Sequence, residues 1–92
     1  TLVLRTAGPV KQEELNEFLS RLAPQCWRMK GFLPLDTGWN QVDVVGKYID
    51  YKPCPAREQG ELVIISRIGP AVIRPIIDTW KQVVSAEMVL KN

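Results

Sequence analysis

The hydrophobic residues of this chain change their spacing twice along its length, and that change limits what it can build. Leu15, Phe18, Leu19 and Leu22 recur every three or four residues, the single apolar stripe of a helix with one buried side. From Cys26 to Leu35 the period is two, which puts Trp27, Met29, Leu33 and Leu35 on one face and Arg28, Lys30 and Phe32 on the other. The helical spacing returns in Ile73, Ile76, Ile77, Trp80 and Val84. A helix with one greasy stripe needs a second layer to cover it, so each helix must lie against a sheet.

The connecting segments fill in the plan. Thr1 to Thr6 reads as a strand broken by Ala7-Gly8-Pro9, and Ala23-Pro24 ends the first helix, since Pro24 cannot extend its hydrogen-bond ladder. Glu13 and Glu14 suit the first turn of that helix. Glu17 and Arg21, four apart, add about 0.3–0.5 kcal/mol. Asp36-Thr37-Gly38 is a turn leading into a second alternating run, in which Val42, Val44 and Tyr48 point together to make a hairpin. Gly31 and Gly46 interrupt strands, which marks bulges or close backbone approaches; for Gly31 the expectation is a bulge or tight packing under a helix. Pro53 to Gly60 is a loop by composition, and Leu62-Val63-Ile64-Ile65 is apolar on both faces, as in a central strand. The second helix starts near Gly69-Pro70 or, after a turn, at Arg74 with Pro75 in the favoured first position. Ala86 to Leu90 is either a last strand or a helix extension. The sum is an α+β two-layer sandwich: a mostly antiparallel sheet of four or five strands with two helices on one face. It is related to the ferredoxin-like plan, with one strand too many between the helices.

Composition removes several functions. Ninety-two residues make one small domain, and 12 Lys+Arg against 10 Asp+Glu leave a net charge of +2, too balanced for a phosphate-backbone stripe. There is no histidine, so no His base, triad or His metal ligand can form within the chain. Cys26 and Cys54 are too few for a tetrahedral zinc site or a disulfide framework. Asp36, Asp43 and Asp50 lack the spacing of an acid–base pair. No apolar run approaches a membrane helix and no signal segment opens the chain, which points to a cytoplasmic protein with no membrane partner. The chain opens directly into strand-like Leu2-Val3-Leu4, and the expectation is a domain excised from something longer.

Arg28-Met29-Lys30-Gly31-Phe32-Leu33 resembles the strand signature of the C-terminal domain of CobW-type proteins, an Arg-x-Lys-Gly-Phe run after the first helix. Leu2-Val3-Leu4-Arg5, Gly8-Pro9, Glu13-Glu14-Leu15, Phe18-Leu19 and the late Glu61 to Arg67 strand are similar to the family's pattern in the same order, covering residues 1–84. Lys11, where an acidic cap is common, and Pro75 depart from it, and the tail beyond Val84 has no counterpart. The resemblance implies a C-terminal accessory domain of a two-domain metallochaperone. In such proteins an N-terminal P-loop GTPase carries the GTP site and a Cys-x-Cys-Cys metal motif, and members serve cobalt delivery for cobalamin or handle zinc and nickel. GTP and a divalent metal are then expected only in that other domain. Here Gly46-Lys47 fails as a P-loop, because Gln41 stands at the first glycine position and Tyr48 replaces the Ser/Thr. The implied partners are the cognate GTPase domain and a client metalloprotein, and the chain is not itself an enzyme.

The candidate partner-binding residues are Arg28, Lys30, Phe32, Trp39 and Arg67: cations beside aromatics on a sheet face left bare by the helices. The plain alternative is a solvated face. Trp27 and Trp80 are assigned to the core by their place in apolar stripes. Two rival functions remain open: a ferredoxin-like regulatory or small-ligand domain acting as a homodimer through its edge strands, and single-stranded nucleic-acid binding by Phe32 and Trp39, which the near-neutral charge disfavours.

Overall fold

Six strands and two helices alternate in the computed structural model, which describes residues 1–92. The strands are β1 (Leu2–Thr6), β2 (Cys26–Leu35), β3 (Gly38–Val45), β4 (Tyr48–Pro53), β5 (Gly60–Ser66) and β6 (Met88–Lys91); the helices are α1 (Gln12–Leu22) and α2 (Ile73–Val83). They form one sheet in the order β4-β3-β2-β5-β1-β6, antiparallel at every pairing. The α+β sandwich read from the sequence is therefore present, with six strands in place of four or five. Between the helices lie four strands, two more than the ferredoxin-like β-α-β-β-α-β order, because the hairpin β3–β4 is added beyond β2. The open tail question resolves as a strand: β6 pairs with β1 through Leu4↔Leu90 and Val3↔Lys91.

One core holds the layers together. Leu2 and Leu4 of β1, Met29 and Leu33 of β2, Val42 and Val44 of β3, and Leu62 and Ile64 of β5 face the helices. Leu15, Phe18, Leu19 and Leu22 of α1 meet them, with Ile76 and Trp80 of α2. The Phe18 and Trp80 rings meet edge to face with centroids 5.0 Å apart, the arrangement their quadrupoles favour. The Trp80 indole Nε1–H donates to the Ala86 carbonyl at 2.7 Å, which ties the approach of β6 to α2. Pro75 is the third residue of α2, behind a 3₁₀ turn over Gly69–Val72, so it sits in the first turn where a missing N–H removes no intrahelical bond.

Three local expectations are corrected. Trp27 is 62% exposed and not in the core, because the β2–β5 register shifts between Cys26 and Arg28 and the extra residue breaks the alternation there. Gly31 marks a close backbone approach, one of the two readings of a glycine inside a strand, but it is not at that bulge and no helix presses on it. A Cβ on Gly31 would run into the Glu61 carbonyl and come within 2.8 Å of Leu62 Cα, so the close neighbour is the backbone of β5. Tyr48 does not point with Val42 and Val44. A two-residue turn, Gly46-Lys47 with Gly46 at φ 58°, starts β4 there and leaves Tyr48 opposite Val45 and 83% exposed. In addition, β5 is central, as read, but its second face is bare: Val63 and Ile65 reach solvent.

Lys11 gives α1 no side-chain cap. Asp36, from the β2–β3 turn, supplies it instead: the Gln12 N–H donates to Asp36 Oδ1 at 3.0 Å, and the Asp36 N–H donates to the Val10 carbonyl at 3.0 Å. A carboxylate at a helix N-terminus satisfies an otherwise unpaired donor and meets the positive end of the dipole. Asp36→Ala is expected to cost about 1 kcal/mol, read as a lower urea midpoint with an unchanged slope.

Candidate partner-binding surface

The face of the sheet turned away from the helices is built by the alternate residues of each strand. The register fixes its rows: Tyr48, Val45, Arg28 and Ile65 in one, Asp50, Asp43, Lys30, Val63 and Val3 in the next, then Lys52, Gln41, Phe32, Glu61 and Arg5. Arg28 and Lys30 are exposed and Phe32 is half-buried, all three on this bare side.

Over Phe32 lies Arg57, its guanidinium carbon 3.5 Å from the ring centroid. A planar cation held flat on a ring keeps its edge donors pointing outward. Arg57 comes from the 54–59 loop, which local sequence marked only as a connection. Together Arg28, Lys30, Phe32, Arg57, Glu61, Val63 and Ile65 line a shallow furrow of about 480 Å³. Its apolar residues are Phe32, Val63 and Ile65, and around them stand three cations and the Glu61 carboxylate.

The cations are not equivalent. Arg28 forks onto Asp43, Nε to Oδ1 at 3.1 Å and Nη2 to Oδ2 at 2.9 Å. The hydrogen bond to Asp43, reinforced by its charge, pushes the Arg28 pKa up. The same bond from Arg28 holds the Asp43 carboxyl below its usual range against the opposing effect of burial, with the Arg28, Lys30 and Lys52 charges adding to it. Arg5 is likewise paired with Glu61 at 3.0 Å. Lys30 and Arg57 make no ion pair, so the uncompensated charge of the furrow belongs to them.

Two of the five sequence-derived candidates lie elsewhere. Trp39 opens β3 at the far end of the β2–β3 hairpin, opposite Pro34; it is half-buried, and its carbonyl accepts the Cys54 N–H at 3.0 Å. Arg67 follows β5 beyond the furrow's other end, where its guanidinium covers Trp27 at 4.7 Å and its Nη1 donates to the Pro24 carbonyl at 3.3 Å. Arg28, Lys30 and Phe32 are thus brought together, while Trp39 and Arg67 are not. Two residues that complete the furrow, Val63 and Ile65, were masked in the sequence because a strand apolar on both faces reads as wholly covered.

The thiols stand apart from this face. Cys26 is buried, and burial pushes its pKa up; Cys54 is half-buried in the loop after β4. No three His, Cys, Asp or Glu side chains gather to hold a metal ion, and no helix is long and apolar enough to cross a membrane.

A sheet with helices over one side and an open furrow on the other defines a two-layer α+β sandwich. The sequence matches the family described as the cobalamin synthesis protein CobW C-terminal domain over residues 1–78, and the chain belongs to that family. The match ends inside α2, so β6 lies outside it. No curated protein and no solved structure matches the chain.

Proposed function

We propose that this chain is the partner-binding part of a longer CobW-type protein whose upstream domain is a P-loop GTPase, and that it serves the delivery of cobalt or zinc by contact and not by chemistry of its own. Its bare sheet face packs on the GTPase domain or on a client metalloprotein, and nucleotide state decides how much of that face is free. The observation that carries this reading is the furrow over Phe32, where Lys30 and the stacked Arg57 make no ion pair above an apolar floor, while the one carboxylate in the lining, Glu61, is taken up by Arg5. Buried aromatic and Arg anchors carry most of the energy in protein interfaces, and a fully wet face has no use for Phe32, Val63 and Ile65.

Mixing the domain with the family's GTPase domain, loaded with GDP or a GTP analogue, tests the reading by titration calorimetry. Arg28→Ala with Lys30→Ala is expected to weaken association at least about tenfold. Lys81→Ala, on the helix side of the molecule, leaves it unchanged. Absence of association in both nucleotide states, with the thermal midpoint intact, overturns docking. Sedimentation addresses the dimer alternative: a stable homodimer that covers Lys30 also overturns it.

A further inference from the structure

A second surface lies at the end of the sheet where β2 begins and β5 ends. Trp27, 62% exposed, stands there. The register accounts for its position, since Cys26 pairs with Ser66 and Arg28 with Ile65, and Trp27 lies in the intervening bulge. Bulges commonly re-aim a side chain, and this one turns outward a tryptophan that regular alternation would bury. Behind Trp27 is a cavity of about 660 Å³ between the end of α1 at Ala23-Pro24 and the Gly46-Lys47 turn. Lys47 and Arg67 line it, and no carboxylate does.

Arg67 is held in place by three contacts. Its backbone N–H donates to the Gln25 carbonyl at 2.9 Å, its Nη1 to the Pro24 carbonyl at 3.3 Å, and its guanidinium plane covers the Trp27 ring. It makes no ion pair. A guanidinium has five donors in a fixed fork, so most of them remain free and already oriented toward an acceptor. Immobilising the side chain in advance removes much of the entropy that binding would otherwise cost.

We infer that this end of the sheet is a binding site, separate from the furrow, for an acidic segment of another protein in which carboxylates alternate with aliphatic side chains. The carboxylates pair with Arg67 and Lys47, while the aliphatic groups cover Trp27, Pro24 and Ile49, which line the same cavity. Charge complementarity selects the acidic partner: two cations without a counter-charge meet a ligand that brings one. The apolar lining selects a polypeptide over a free inorganic anion, which could cover none of it.

The test uses the whole 92-residue chain, labelled with nitrogen-15, and an acetylated, amidated hexapeptide of alternating Glu and Leu. The Trp27 indole N–H and the amides of Lys47 and Arg67 are expected to shift on titration, while the buried Trp80 indole stays in place and reports the fold. Arg67→Glu weakens binding at least about tenfold, Lys47→Glu does the same in direction, and Arg28→Ala with Lys30→Ala leaves it within about twofold. Equal binding of a Lys/Leu hexapeptide, preferential binding of oligothymidylate, or indifference to both Glu variants overturns the site. Shifts that follow Arg28 and Lys30 instead also overturn it without touching the docking reading, and failure to bind the GTPase domain leaves this site standing.

Discussion

Gly31→Ala is expected to cost about 3 kcal/mol or more, a large share of the stability of a domain that totals about 5–15 kcal/mol. The added methyl would enter the Glu61 carbonyl and crowd Leu62 Cα, both backbone atoms of the central strand β5. A flexible side chain could swing away; a strand hydrogen-bonded on both sides cannot. Relief requires β2 and β5 to part, which breaks the ladder at the middle of the sheet. Gly8→Ala is the control, since a Cβ there meets nothing within 4 Å, and it should move the urea midpoint little. A Gly31→Ala protein as stable as the parent would mean that the two central strands do not approach as described.

Phe18→Ala is expected to lose about 3–5 kcal/mol, the usual cost of removing a large aromatic from a packed core. Phe18 is fully buried on α1 and among the largest side chains of the core. It also makes the edge-to-face contact with Trp80 of α2, so the loss falls on the junction of both helices and the sheet. Phe18→Leu should recover a substantial part, because much of the volume is kept. The check is denaturant unfolding followed by circular dichroism; similar midpoints for Phe18→Ala and the parent would deny the helix–helix contact.

Much of this architecture was legible in the sequence because periodicity reports burial directly. The stripes at Leu15–Leu22 and Ile76–Trp80 and the alternation through Met29 and Leu33 have one physical origin, a single helix-covered sheet face. Trp27 was misread for the same reason: alternation assumes an unbroken register, and one extra residue in β2 cancels it with no mark in the local composition. Phe32 and Lys30 were legible as neighbours on a strand, whereas Arg57 reaches Phe32 across more than twenty residues of chain. That contact exists only once β3 and β4 have folded out and returned. The missing acidic cap before α1 was visible at Lys11; its replacement, Asp36, belongs to a turn and could be found only in three dimensions.

The ion pair between Arg28 and Asp43 gives the furrow a built-in competitor. A visiting carboxylate aimed at Arg28 must first evict a resident one that already holds two hydrogen bonds, so a ligand with one negative group exchanges like for like and gains almost nothing at that position. On the docking reading, a visitor comes out ahead only where it engages Lys30 or Arg57, neither of which has a partner to evict.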